Sequence, residues 1–249
     1  MRRSALFAAI CAASLSLSAC GYSVFDAAED IQSGGFEGGT AITTAAQTTG
    51  AFTQVEAMGP DNVVFVTGNT FSIKAEGNAE AIKTLRYKID GSAIQIGRNK
   101  GKWMGESAKG VTITITAPTV SSVSLAGSGD FKGDKLSGDK VTIDLAGSGN
   151  VVVADITAAA VEGNVAGSGD IKGTGRVAKA EWSIAGSGNV DASAIVSEDV
   201  EVSIAGSGDV LANATKAVDV SIAGSGDVTV TGGAKCTKSV IGSGKVTCS

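Results

Sequence analysis

The octapeptide SIAGSGDV occurs twice without change in the sequence, at Ser203–Val210 and again at Ser221–Val228. Variants of this stretch raise the number of Gly-Ser-Gly motifs to seven, and their first glycines are 18 to 20 residues apart. An active-site motif is needed once, whereas a structural unit that repeats along a chain needs its motif in every copy. The spacing therefore predicts a solenoid.

Apolar residues alternate with polar ones on both sides of each motif. Val200, Val202 and Ile204 precede one copy, and a second apolar column follows every copy. That column consists of Phe131, Val151, Ile171, Val190, Val210, Val228 and Val246. A period of two places such side chains on one face of a strand. We expect an all-β fold, a single-stranded parallel β-helix with two or three short strands per coil, right-handed by the general chirality of parallel connections.

The two glycines of each motif are expected at a repeated corner of this β-solenoid. Neighbouring coils stack about 4.8 Å apart, which leaves no room for Cβ atoms, and a corner often needs positive φ, which glycine adopts without strain. The predicted corner residues are Gly127, Gly129, Gly147, Gly149, Gly167, Gly169, Gly186, Gly188, Gly206, Gly208, Gly224, Gly226, Gly242 and Gly244.

The residue after each motif is Asp or Asn in six copies and Lys245 in the last. Asp and Asn bond readily to nearby backbone at turns, so the column predicts a hydrogen-bonded Asx ladder. Calcium binding through the same carboxylates is the alternative, with Asp209 and Asp227 the preferred pair because no Asn separates them. Calcium needs six to eight oxygen ligands, and this column offers few.

The N-terminus has the pattern of an export signal. Arg2 and Arg3 precede an apolar run that ends in small residues at Cys20. This is typical of a secretory signal peptide. The residues LSAC at 17–20 resemble the bacterial lipobox, which implies lipidation of Cys20; an ordinary signal peptide with a chance cysteine is the alternative. Gly21 rather than aspartate follows, which implies an outer-membrane lipoprotein on either face of that membrane.

Cys236 and Cys248 remain once Cys11 is removed with the signal and Cys20 is lipidated. An exported pair of cysteines predicts a disulfide, with two buried free thiols as the alternative. Counted from the motif, both fall in inward columns of the last coil. The bond would therefore cross-link the last coil at the open end of the solenoid, where a cap is needed.

The remaining sequence divides the chain into four parts: a signal peptide at 1–19, a lipid-anchored flexible tether at 20–50, an N-terminal β cap region at 51–119 and the solenoid at 120–249, with 51–249 one continuous domain. Gly68-Asn69 predicts a hairpin between 62–67 and 70–75, and Asp90-Gly91 predicts a second. Asn78 is expected to cap a short helix. Trp103, in a charged loop, is a candidate contact residue, whereas Trp182 fits the core.

Composition excludes several function classes. The sequence contains no His, and without residues 1–19 it carries 18 Lys and Arg against 25 Asp and Glu, a net charge of −7. An acidic surface suits nucleic acid poorly, and His is the commonest general base and transition-metal ligand. The serine of AGSG does not stand in a GxSxG nucleophile motif. We expect no enzyme and no cofactor, with a polysaccharide-active enzyme as the remaining catalytic alternative.

The repeated (L/V/I)-A-G-S-G-(D/N) stretch and the APT strand exit at 117–119 resemble the bacterial head GIN domain family of auto-transporter adhesins. The resemblance covers about residues 51–246 and implies an exported β-solenoid. It supplies no catalytic residue.

These features together predict a binding, adhesion or structural module of the cell envelope. Its partners would be the membrane, through the lipid anchor, and a glycan, another envelope polymer or a protein, because a repeat surface presents the same side chains at regular intervals. Lys235, Lys238 and Lys245 protect the C-terminal end from edge pairing, so we expect a monomer.

Overall fold

The computed structural model describes residues 38–99 and 110–249. The predicted signal peptide, the lipidation site Cys20, most of the tether and Trp103 lie outside these residues. The described residues form one 18-stranded sheet with one short helix. The prediction of an all-β solenoid is confirmed.

The strands that precede the first GSG motif are short. They are β1 (Thr40–Ala41), β2 (Gln47–Thr48), β3 (Gln54–Gly59), β4 (Asn62–Thr67), β5 (Ser72–Glu76), β6 (Leu85–Asp90), β7 (Ala93–Arg98), β8 (Thr112–Ala117) and β9 (Ser122–Gly127), with helix α1 (Ala79–Ile82) between β5 and β6. Asn78 caps α1, and its Oδ1 accepts hydrogen bonds from the backbone N–H groups of Glu80 and Ala81 at 2.9 and 3.1 Å.

The strands after the first motif are long. They are β10 (Phe131–Gly133), β11 (Leu136–Gly147), β12 (Val151–Gly167), β13 (Ile171–Gly186), β14 (Val190–Gly206), β15 (Val210–Gly224), β16 (Val228–Thr231), β17 (Lys235–Gly242) and β18 (Val246–Cys248). The prediction of two or three short strands per coil is therefore wrong for β12 to β15, each of which follows most of a coil. Neighbouring coils stay hydrogen-bonded through their bends, and only local register shifts mark those bends.

All coils stack in parallel register, but their order differs from the chain order at the N-terminal end. β3 pairs in parallel with both β7 and β9, and β4 with both β8 and β10. The first coil of the chain is thus inserted between the second, formed by β7 and β8, and the third. The predicted boundary between a cap at 51–119 and a solenoid at 120–249 does not hold, since β3, β4, β7 and β8 are coils of the solenoid.

One of the two predicted hairpins forms. β6 and β7 pair antiparallel across Asp90-Gly91, where Gly91 has φ +56°. The hairpin at Gly68-Asn69 is wrong: β8 lies between β4 and β5, pairing in parallel with β4 and antiparallel with β5. The turn residues are present, but the parallel stacking of coils takes the edge of β4 that a hairpin would need.

The tether prediction is also wrong at its C-terminal end. β1 pairs antiparallel with β6, and β2 pairs antiparallel with β5, so residues 40–48 cover the outer edges of the two strands that pair with β7 and β8. Ile42 is buried, and the Gln47 side chain accepts a hydrogen bond from the Thr43 N–H at 2.8 Å and donates one to the Ala41 carbonyl at 3.0 Å. The sequence suggested a linker because strands of two residues are too short to show an alternation of apolar and polar residues.

The core is a continuous apolar column inside the coils. The predicted inward positions Val200, Val202 and Ile204 are buried, as is Trp182. Gly163 lies next to Trp182 in the adjacent coil, and a Cβ there would lie 2.4 Å from the indole ring. The glycine therefore makes room for the one large side chain in this column.

Candidate functional site

The glycine corners lie one above another, as the repeat predicts. The first glycine of every motif has φ between +126° and +148°, and a Cβ at Gly206 would lie 2.0 Å from the Gly186 carbonyl oxygen of the next coil. The second glycine has no such φ but the same lack of space: a Cβ at Gly208 would lie 2.0 Å from the Gly188 oxygen. Backbone packing therefore requires both glycines, so the motif belongs to the fold.

The Asp and Asn residues after the motif form a continuous hydrogen-bonded ladder. Each side-chain Oδ1 accepts a hydrogen bond from the backbone N–H of the equivalent residue in the following coil. In the first step Asn62 accepts from Asp130 at 2.9 Å, and in the last step Asp227 accepts from Lys245 at 2.8 Å. Asn150 also donates its Nδ2 to Asp130, at 2.9 Å. Alternation of Asp with Asn thus supplies extra donors between neighbouring carboxylates.

The proposed calcium pair belongs to this ladder. Asp209 Oδ1 accepts the Asp227 N–H at 2.7 Å, and Asp227 Oδ1 accepts the N–H of Lys245. One oxygen of each carboxylate is therefore already engaged by backbone. Within residues 38–99 and 110–249, no group of three or more Cys, Asp or Glu side chains is arranged to hold a metal ion.

An eighth corner, without the motif, underlies the first GSG. Gly59 pairs with Gly127 and has φ +113°, and Pro60-Asp61-Asn62 follow it where the GSG coils have Ser-Gly-Asp, Ser-Gly-Asn or, in the last coil, Ser-Gly-Lys. Asp61 is buried here and accepts two hydrogen bonds from the buried Arg98 guanidinium, one of them at 2.7 Å from Nε, and a third from the Val111 N–H at 3.1 Å. Sequence reasoning missed this corner, although GPDN at 59–62 is its signal.

The repeats also create an outward surface on the strand segment before the corner, which we call the repeat face. Register places three columns of side chains on it, each member one coil from the next. They are an alanine column (Ala166, Ala185, Ala205 and Ala223), a serine column (Ser183, Ser203, Ser221 and Ser239) and an acidic column (Glu162, Glu181, Glu201 and Asp219). Sequence reasoning foresaw a repeat surface but did not identify these columns.

Lysines next to the acidic column compensate part of its charge. Lys140 forms an ion pair with Glu162, whose pKa is lowered by this hydrogen bond. Lys179 lies 3.8 Å from Glu181 and 3.7 Å from Glu201. Asp144 lies one coil before Asn164, which donates a hydrogen bond to it at 2.9 Å, and burial raises the pKa of Asp144. The face is thus polar and ordered, with negative charge concentrated toward Asp219.

The two ends of the stack carry different features. At the C-terminal end a disulfide joins Cys236 and Cys248, with Cα atoms 6.5 Å apart, in the inward columns of Val218 and Val230. At the N-terminal end lies an apolar groove of about 410 Å³, lined by Ala41–Thr44, Gly77, Ala79, Ile82 and Lys83. No helix among the described residues is long and apolar enough to span a membrane.

Residues 51–234 match the family model described as "putative auto-transporter adhesin, head GIN domain". The chain belongs to this family. The head GIN match agrees with the resemblance seen in the repeats, and the adhesin-like character of the family points to an envelope or surface protein. No curated protein matches the chain.

Solved structures show the same fold as this head GIN protein. A "putative adhesin" from Bacteroides fragilis is 23% identical with a TM-score of 0.76, and the match covers 84% of this chain and 100% of that one. A "putative lipid binding protein" from Parabacteroides distasonis is 20% identical with a TM-score of 0.64, covering 82% of this chain and 95% of that one. A "putative adhesin" from Parabacteroides merdae has the same identity, TM-score and coverage. At these identities the likeness establishes the fold.

Proposed function

We propose that this protein is a binding module of the bacterial cell envelope whose repeat face binds an extended polymer, with a glycan as the first candidate. The observation that carries the proposal is the set of three side-chain columns, each with one member in four consecutive coils. A polymer with a regular repeat can meet the same groups several times, and several weak contacts within one molecule add up to a useful affinity. The small Ala and Ser side chains let a flat ligand approach the strands closely.

We further propose that Cys20 anchors the protein to the outer membrane by lipid, and that the protein acts as a monomer without catalytic activity. Several acyl chains give stable anchoring, since each buried methylene contributes about 0.8 kcal/mol. Metabolic labelling with a fatty-acid analogue tests the anchor: Cys20→Ser should abolish the label, and a labelled variant would contradict it. Light scattering at several concentrations tests the monomer, which a concentration-dependent mass would exclude.

A binding screen against glycans and other envelope polymers tests the polymer proposal, and is run with calcium and with chelator. Ala205→Tyr places a large side chain in the centre of the repeat face and should weaken binding at least about tenfold, because the ligand can no longer lie flat. Thr229→Tyr, on the exposed side of β16 after the corner, is the matched control and should bind normally. Equal binding by both variants would contradict the repeat face as the site. Binding that required calcium would instead favour the Asp209–Asp227 column.

The apolar groove favours lipid binding as a second candidate function. Its lining from Ala41–Thr44 and Ile82 suits an acyl chain, and one similar structure is described as a putative lipid binding protein. A fluorescent fatty acid should bind the full chain and lose affinity in Ala79→Trp, which fills the groove from its rim. Unchanged fatty-acid binding in that variant, or no binding at all, would exclude the groove.

A further inference from the structure

The C-terminal end of the solenoid leaves a strand edge open. β17 pairs in parallel with β15 and with no other strand among the described residues, and β18 likewise pairs only with β16. Ile241 on β17 is 75% exposed and Val240 is 37% exposed. The backbone and apolar side chains of the last coil are therefore accessible, which is the geometry that strand addition requires.

This end is cationic although the chain as a whole is acidic. Lys235, Lys238 and Lys245 belong to the last coil, and no Asp or Glu occurs after Asp227 in the sequence. Within the described ranges, none of the three ammonium groups forms an ion pair, whereas seven other lysines do. Asp219 and Asp227 lie one coil below, and the Asp227 side chain is engaged by the Lys245 N–H.

Lys238 stands at a position where every neighbour in its column is apolar. It pairs in register with the buried Val220, which pairs with the buried Val202. The neighbouring inward positions along β17 are Cys236, which forms the disulfide, and Val240. A further strand on this edge would place its inward residues over Cys236, Lys238 and Val240 in turn. It would fit best with a small residue, an acidic residue and an aliphatic residue at alternate positions.

We propose that the open edge of β17 binds an extended acidic segment of another protein by strand addition, with Lys238 pairing to an Asp or Glu of that segment and Val240 covered by its aliphatic residue. Charge complementarity selects the partner, because the ammonium group of Lys238 is paired only when the incoming strand supplies a carboxylate at that position. A second copy of this edge is a poor occupant, since two such ends would bring six lysines together. This surface is separate from the repeat face.

The test uses the full chain and two fluorescently labelled peptides, TATETVT and TATKTVT, which differ only at the position that would meet Lys238. We expect the Glu peptide to bind at least about tenfold more tightly than the Lys peptide, and less tightly at high salt. Lys238→Glu should reverse this preference. Lys132→Glu is the matched control, because Lys132 is an exposed lysine on β10, far from this edge, and forms no ion pair with the described residues; it should leave both affinities unchanged.

Amide hydrogen exchange locates the contact. Bound Glu peptide should protect backbone amides of β17 and leave those of β3 and β4 unchanged. The proposal is overturned if neither peptide binds, if Lys238→Glu keeps the original preference, or if protection appears elsewhere. A rise in mass with bound peptide absent would show that a second copy of the chain occupies the edge instead, and would also overturn it.

Discussion

The two ends of the solenoid terminate the same sheet by different chemistry. At the N-terminal end, β5 and β6 pair antiparallel onto the outermost coil, β1 and β2 pair onto them in turn, and a buried Arg98–Asp61 pair links β7 to the corner between β3 and β4. At the C-terminal end a disulfide closes the last coil, which also carries exposed lysines, and one edge of β17 has no neighbouring strand among the described residues. A stack of coils buries its core only between neighbours, so each end must replace the missing neighbour. The N-terminal end does so with additional strands, whereas the C-terminal end has a covalent bond and exposed lysines.

The largest effect is expected from the N-terminal corner. Arg98→Met leaves the Asp61 carboxylate buried without its charged partner, which should lower the free energy of unfolding by about 3–5 kcal/mol. Lys172→Met removes an exposed ion pair with Asp191 and should cost less than about 1 kcal/mol. Urea titration of both variants measures the difference. Equal losses would mean that the buried pair does not hold this end together.

Substitutions at the corner glycines allow the middle of the stack to be compared with its C-terminal end. Gly206→Ala places a Cβ 2.0 Å from the Gly186 oxygen at φ +141°, and should cost about 3 kcal/mol through backbone strain and overpacking. Gly242→Ala meets the Gly224 oxygen at the same 2.0 Å, but only the last coil must shift, so a smaller loss is expected. Chemical denaturation checks both. A larger loss at Gly242 would show that the last coil stabilises the whole stack.

The disulfide is expected to act locally. Its sequence separation is 12, and the chain-entropy model gives about 2–3 kcal/mol for a loop of this size. Cys236→Ser with Cys248→Ser should therefore free β17 and β18 to open while β11 to β14 stay folded. Hydrogen exchange distinguishes the regions: protection should fall only in the last coil. Uniform loss along the solenoid would contradict an end-specific role.

The smallest effect concerns a carboxyl group in the regular coils. Burial raises the pKa of Asp144 in the folded protein above its ordinary value of 3.8, so the folded state holds this proton more firmly than the unfolded state does. Stability from this group is therefore greatest at low pH and decreases as pH rises through the folded pKa. Asp144→Asn should raise the free energy of unfolding at pH 7, by at most about 0.5 kcal/mol. This gain should vanish below the ordinary pKa; a gain that persists there has another cause.

Sequence reasoning reached the regular coils because one physical requirement repeats in them. Close backbone stacking at the corner admits only glycine, and the buried faces require alternating apolar residues, so GSG and the Val columns specify the stack. The hand of the coil and the anchoring of Cys20 stay predictions.

The N-terminal coils were harder to predict because each constraint occurs there once. Pro60 and Asp61 stand where the other corners have Ser and Gly. The partner of Asp61 is Arg98, and no repeated spacing in the sequence links these two residues. Gly68-Asn69 has hairpin chemistry, yet pairing of β4 with β8 overrides it. The columns of the repeat face depend on register between coils, so they emerge only once neighbouring strands are aligned.

Removal of one complete coil tests most directly the claim that the repeat face binds a polymer. Deleting residues 187–206 joins Gly186 to Ser207, and these glycine corners are in register, so the shortened stack should fold. The variant loses one member of each column, and its affinity for the polymer found in the screen should fall several-fold while fatty-acid binding in the N-terminal groove stays unchanged. A folded variant that binds the polymer as tightly as the full chain would contradict the account.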